Sequence, residues 1–574
     1  MKIFKLFPLA CAALMMSACS SDDAGNEGGN PGAAGDPQYL AVNIVNVGTT
    51  PTRADGDYVD GETYENAISK VRFYFFNGDG SPYLIKNPGV TGVTGGETVN
   101  WLEASPNDDT STSGTPSHVE KITQTVLVIN GIQNAAPAAI VAVVNPETVE
   151  SATLKNNGTM RLSELRNSAV GQNFYKKDAS TGAVSDFVMS NSVYVNTGED
   201  VCASLVAGHV TTSAETAKAK PVDLYVERVV AKVTANVDDT AFKLGDGTNW
   251  DATKYGTKTA VGKIGDNEVY AVIDGWGLAS ENGKAEIEKK VDKTWSDGNL
   301  GFSPWTTSDY HRCFWEQSVA FDAGIGGNQP VNHKYSDLKA KMNDVLYTLP
   351  NTPTNKVTNL KDNDLTKLAV AATLKYKDAD GNWHDADICR YNGVQFLGVD
   401  NLKKQVALTF SQYYTSTDAH TYTQLSASDI DFKDPDGTMQ QYRVTPTLAA
   451  DPAGTKKYYT KTTTGGTPTF TEVQKSTVLA AIEAAKAEIR KGGKVYYYVP
   501  IKHLGNPGEV AEYGIVRNHF YKITLSGIKG FGTPVYNPDQ VVKPAVPTYE
   551  DTYLAARVQV LQWRVVNQNA SLGE

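Results

Sequence analysis

The sequence predicts an all-β fold, and three observations carry that prediction. Short apolar runs, alternating or continuous, recur along the 574 residues and are separated by Gly, Asn, Asp and Pro. The composition favours strands, with 29 Tyr and abundant Thr and Val, and its 50 Gly supply turns. Only two stretches, 161–167 and 477–491, read as helices. A chain of this length holds two or more cores. Its net charge of −11 argues against a nucleic-acid partner.

Taken in order, residues 1–18 form an export signal: Lys2 and Lys5 precede an apolar run over 6–16 that is too short to span a bilayer. The following Met-Ser-Ala-Cys at 16–19 resembles the lipobox of a bacterial lipoprotein, which implies acylation of Cys19. The Ser-Ser-Asp-Asp at 20–23 resembles the acidic surface-export signal of Bacteroidetes lipoproteins. A Gly, Asn and Pro-rich linker over 19–37 is expected to stay unfolded.

Residues 39–47 alternate as a first strand, with Leu40, Val42 and Ile44 on one parity. A soft loop over 48–61 follows, and within it Arg53 is the only Lys or Arg between Lys5 and Lys70. An Arg-specific, trypsin-like protease would therefore have one place to cut there, between Arg53 and Ala54. Such a cut would separate one strand from the rest of the chain.

Further strands are expected at 68–76, followed by an Asn-Gly-Asp-Gly turn, and at 119–129, 138–144 and 187–195. The run 221–237 reads as one long strand, with a domain boundary just after it, near Asp238. The second half adds strands at 269–278, 365–376, 388–397, 404–410, 494–500 and 519–525. In the predicted helix at 477–491, Val478, Ile482, Ala485 and Ile489 share a face, Ser476 caps the start and Gly492 ends it. With Cys11 in the signal and Cys19 acylated, Cys202, Cys313 and Cys389 form no disulfide framework and read as buried small hydrophobes.

The chain closes on 553–566, where Leu554, Ala556, Val558 and Val560 share one parity before the pattern flips to Leu561, Trp563 and Val565. That flip marks a bulge or a break between two short strands. Before it, 537–552 carries three prolines and reads as an extended spacer that could span ~50 Å. Two readings stay open: the terminal strand pairs with a neighbouring molecule, or it folds back onto its own sheet.

The order of these segments resembles the fimbrillins of Bacteroidales, the type V pilins, and within them the shaft subunit of the short fimbria. The resemblance rests on the lipobox, the first strand and its Arg-containing loop. It continues through Val-Glu-Arg-Val-Val-Ala-Lys-Val at 226–233, Tyr-Tyr-Tyr-Val-Pro-Ile-Lys-His at 496–503, Arg-Asn-His-Phe-Tyr-Lys-Ile-Thr-Leu at 517–525 and the closing strand around Trp563. It implies two transthyretin-like β-sandwich domains, 38–237 and 238–536, followed by a linker and donor strand over 537–574. It further implies a lipoprotein precursor in the outer membrane, lipidated at Cys19 and cut after Arg53. The discarded strand is 39–47, and its place is taken by 553–566 of an identical subunit. Tip and anchor fimbrial proteins would be further partners, and the fibre would support adhesion and biofilm formation. The alternatives are a tip or accessory subunit, or a monomeric surface lipoprotein that binds glycans.

No catalytic residue, cofactor or metal is assigned. The chain has no Gly-x-Ser-x-Gly or His-Glu-x-x-His, and Gly262-Lys263 lacks P-loop spacing. The run Asp378-Ala379-Asp380-Gly381-Asn382 reads as a hairpin turn, and His384, Asp385 and Asp387 as a solvated face. Tyr496, Tyr497, Tyr498, Trp305 and Trp315 would be candidates for a glycan platform, with strand packing as the ordinary alternative.

Overall fold

The structure, a computed structural model, describes residues 38–46, 59–87, 94–105, 107–108, 121–132, 135–148, 154, 158–238, 258–322, 327–354, 364–435, 443–528, 530–543 and 554–560. At 43–46, 107–108, 121–124, 258–260 and 554–560 it describes the backbone alone. The protein is all-β with a few short helices.

The first core is built on a nine-stranded sheet. Its order is Trp101–Ala104, Val71–Phe76, Ala139–Val144, Met189–Asn191, Val222–Arg228, Gln38–Asn46, Lys121–Ile129 and Asn107–Asp108, with Ser204–Leu205 paired to Ala139–Val144. The continuous apolar runs lie deepest: every residue of Val71–Phe76 and of Ala139–Val144 is buried. The Asn-Gly-Asp-Gly stretch turns as expected, with the Asn77 amide donating to the Ser81 carbonyl and Gly80 at φ +75°.

The run read as one strand at 221–237 is two, Val222–Arg228 and Ala231–Val237, and they belong to different sheets. Val229 and Val230 are buried in the first core, whereas Ala231, Val233 and Ala235 enter the second. No turn residue marks the crossing, because Val229, Val230 and Ala231 are all buried. The second core packs a four-stranded sheet, ordered Val345–Thr348, Ala231–Val237, Phe520–Ile528 and Leu554–Val560, with a six-stranded one. The latter runs Lys258–Ile264, Asn267–Ala279, Lys367–Lys377, Lys494–Pro500 and Thr533–Pro534, with Trp383–Asp385 attached to Lys367–Lys377.

A further apolar cluster occupies 389–489, where the sequence predicts strands at 388–397 and 404–410 and a helix at 477–491 but not a core of their own. Two helices build it. Val399–Thr409 buries Leu402, Val406 and Ala407, so the strand expected at 404–410 is helical. Lys475–Glu483 buries Val478 and Ile482 but ends eight residues before the predicted stop. Ala487–Arg490 then runs as a strand beside Ile388–Arg390, which is where Ile489 finds its partners. Nor is all of 537–552 a free spacer. The Val542 amide donates to the His333 carbonyl at 2.8 Å, the Tyr335 amide donates to the Gln540 carbonyl at 2.8 Å, and Val542 is fully buried.

Candidate functional site

The first strand, Gln38–Asn46, lies inside its sheet, with a partner on each side. It runs antiparallel to Lys121–Ile129 over its whole length, from Gln38 opposite Ile129 to Asn46 opposite Lys121. On its other side, Val42 to Asn46 run parallel to Val222 to Val226. Tyr39 exchanges two further backbone hydrogen bonds with Thr211, at 2.7 and 2.8 Å. Leu40, Ala41 and Val42 are all fully buried. Leu40 and Val42 belong to the first core, and the helix Ala214–Ala219, with Ala217 equally buried, packs across the strand. The backbone of Ile44 is in register with Thr123 and Leu224.

Taking this strand away would therefore do more than trim an edge. It would split the sheet, leave the facing backbone groups of 121–129 and 222–226 unpaired, and uncover Leu127, Ile129, Val222, Leu224 and Val226.

The closing strand is placed differently. Leu554–Val560 is an outer strand, antiparallel to Phe520–Ile528 of the same chain, with Val560 opposite Tyr521, Leu554 opposite Ile528 and a bulge at Leu525 and Gly527. Leu554, Ala556, Val558 and Val560 lie on this strand, while Leu561, Trp563 and Val565 fall outside the described residues. Its removal would bare one edge and split nothing. Ten residues, 544–553, connect it to the docked Lys543, a reach of ~33 Å when extended. Cys19, Arg53 and Ala54 also fall outside the described residues.

The motifs at 226–233 and 517–525 meet where the two cores join. The Asn518 amide donates to the Val230 carbonyl at 2.7 Å, and the Lys232 amide to the His519 carbonyl at 2.9 Å. The polar residues of these motifs, which sequence reading left without a role, form a buried ionic seam. Lys289 pairs with Glu227 at 2.9 Å and Arg517 with Glu316 at 2.9 Å, all four nearly solvent-free. Arg517 also donates to the Ile287 and Glu286 carbonyls. Glu288 is wholly buried, and that burial, opposed by Arg166 at 3.3 Å, pushes its carboxyl up to about 8. Burial likewise holds His519 well below the ordinary histidine value, with nearby His503 adding to the effect. Buried charges of this kind survive only when paired and hydrogen-bonded. The sequence signal was an Arg or Lys breaking an otherwise apolar strand.

The other candidates disperse. Asp378 to Asn382 form a turn between Lys367–Lys377 and Trp383–Asp385, with Gly381 at φ +85°. His384 bonds Asp378 at 2.6 Å, Asp385 pairs with Lys375, and Asp387 accepts from the Gly492 amide at 2.6 Å, so the three do not converge. Among the described residues no group of His, Cys, Asp and Glu is arranged to hold a metal. Tyr496, Tyr497, Tyr498, Trp305 and Trp315 are at most 9% exposed and belong to apolar clusters, which leaves no open platform at these rings. Cys313 and Cys389 are buried as expected, their thiols pushed up to about 11 and about 12 by burial, whereas Cys202 is only half-buried.

Residues 490–569 match the family model for the C-terminal region of fimbrillin, major fimbrial subunit protein type IV. That region includes Lys494–Pro500, Phe520–Ile528 and the closing strand. Solved structures align over most of the chain at low identity. A candidate cell-adhesion protein of Parabacteroides distasonis is 12% identical, with 94% of this chain and 99% of that one covered and a TM-score of 0.35. A fimbrial assembly protein of the same species gives 10%, 60%, 98% and 0.25 for the same quantities. The C-terminally truncated tip fimbrial protein Mfa3 of Porphyromonas gingivalis gives 8%, 91%, 99% and 0.28. No curated protein sequence matches significantly.

Proposed function

Because its C-terminal region is that of a fimbrillin, we propose that this chain is a structural subunit of surface fimbriae that polymerises by strand exchange. The precursor is exported as a lipoprotein acylated at Cys19 and held at the outer membrane. An Arg-specific protease cuts between Arg53 and Ala54, and the first strand leaves. The terminal segment of an identical subunit, from Leu554 through Val565, fills the vacated place. Tip and anchor proteins complete the fibre, which supports adhesion and biofilm formation. The chain divides between Val230 and Ala231, a few residues before the boundary expected near Asp238, into an acceptor domain and a domain that carries the donor.

One observation supports this reading: the first strand is interior, with Leu40, Ala41 and Val42 fully buried, while the terminal strand is an outer one. A groove flanked on both sides specifies its occupant by two ladders of backbone bonds and a buried face. An outer strand leaves its own sheet without dividing it. Pairing of Leu554–Val560 with Phe520–Ile528 is then the resting arrangement of a single copy. Burying about six apolar donor side chains at ~1.5 to 3 kcal/mol each contributes on the order of 10 kcal/mol before ordering costs, which suits a fibre that does not dissociate.

N-terminal sequencing of fibres shed from cells tests the proposal. An N-terminus at Ala54 is expected. Fibres that retain residues 38–46 would refute it.

A further inference from the structure

The chain just after the processing loop is held unusually firmly. Glu65, in the turn over 61–66, is fully buried. Its carboxylate accepts from Lys232 Nζ at 2.8 and 3.0 Å, from the Glu62 amide at 2.7 Å and from the Tyr347 hydroxyl. Its backbone carbonyl accepts from Arg228 Nε at 3.0 Å. Arg228, itself fully buried, also donates to the Asn66 side chain and to Asn518 Oδ1, the latter at 3.0 Å. Asn66 Nδ2 closes the turn on the Gly61 carbonyl at 3.2 Å. At Gly61 an added Cβ would lie 2.5 Å from Arg228 Nη2, so a side chain there would displace the guanidinium from its partners.

The partners matter as much as the bonds. Arg228 closes the strand that flanks Gln38–Asn46, and Lys232 lies on the strand that enters the second core. Tyr347 lies on the neighbour of that strand, and Asn518 just precedes Phe520–Ile528. One short turn, six residues long, thus ties together four segments from both sides of the junction between the cores.

We propose that Glu65 is a retention clasp. It fixes the new N-terminal segment created by processing to the crossing strands, so that cutting frees the first strand alone and leaves the junction between the cores closed. This function rests on cleavage after Arg53, whereas the clasp itself exists in the uncut chain. Glu65 is a positioning residue: it holds the boundary between what leaves and what stays.

The test uses the full-length precursor and the Glu65→Gln and Tyr347→Phe variants. Amide exchange is followed at 62–66 and at 38–46, before and after cutting at Arg53. The cut subunits are then trimmed with a nonspecific protease and their N-termini read by intact mass. Losing one charge-assisted bond should raise the open population of 62–66 about tenfold in either variant, while 38–46 in the uncut chain stays protected. Trimming of the wild type should stop before Gly61, and trimming of the variants should pass Asn66. Unchanged exchange at 62–66, or identical trimmed ends, would overturn the clasp. A wild type that is not cut at Arg53 would remove the processing step, and the exchange arm on uncut chains would still decide whether the clasp exists.

Discussion

Leu40→Ala separates a strand that is structural in the precursor from one that is structural in the fibre. Leu40 is fully buried in the first core, opposite Leu127. Truncating a leucine in such a place loses its transfer energy of ~1.5 to 3 kcal/mol. The unfilled cavity brings the total to ~2 to 5 kcal/mol. Urea titration of the uncut precursor should therefore show a lower midpoint, with the slope unchanged, for the transition that reports the nine-stranded sheet. If processing discards residues 38–46, fibres assembled from the same variant contain no residue 40 and should resist urea like wild-type fibres. A single substitution would then cost stability before assembly and nothing after it. Fibres weakened by the same 2 to 5 kcal/mol, or residue 40 in their mass spectrum, would refute strand removal.

Other outcomes are expected from the same geometry. Arg53→Ala should leave a full-length lipoprotein that forms no fibres under electron microscopy; normal fibres would take Arg53 out of the mechanism. Deleting 549–574 removes an outer strand, so the subunit should keep its cooperative unfolding and yet fail to extend fibres; loss of folding would show that the subunit depends on the pairing of Leu554–Val560 with Phe520–Ile528 and would refute a dispensable tail. Glu288 keeps its proton up to about pH 8 in the folded chain, whereas an unfolded Glu loses it near 4.5. The folded state then holds the extra proton between these values, and stability falls as pH rises from about 5 to 8, by on the order of 1 kcal/mol per pH unit. Glu288→Gln should flatten that slope in denaturant titrations, and an unchanged slope would show that Arg166 keeps the carboxylate charged.

How far the sequence spoke depended on how local each signal was. Alternation and burial placed the first strand, 139–144 and 494–500 within a residue or so, because each is a short run whose pattern is set by one sheet. The same logic failed at 221–237, where two strands in different sheets follow one another with only Val229 and Val230, both buried, between them. It failed again at 404–410 and 484–491, where few residues separate a helical period from a strand's, and packing in the 389–489 cluster decided. The candidate site was legible as segments but not as an arrangement. Nothing in 39–47 says that its strand is interior rather than outer. Glu65 carries no local signal, since its distant partners lie 163 to 282 residues away.

The first strand runs alongside one neighbour and against the other, and this mixed setting gives the groove a direction. The slanted bonds of a parallel pair and the perpendicular bonds of an antiparallel one cannot be interchanged by turning the occupant end for end. On the proposed strand exchange, an incoming tail that keeps both ladders would enter with the same orientation as the strand it replaces. Copies joined head to tail in this way would all point alike, and each contact would use two different surfaces. A filament built by the proposed exchange would have unlike ends, one offering an empty groove and the other an unspent tail.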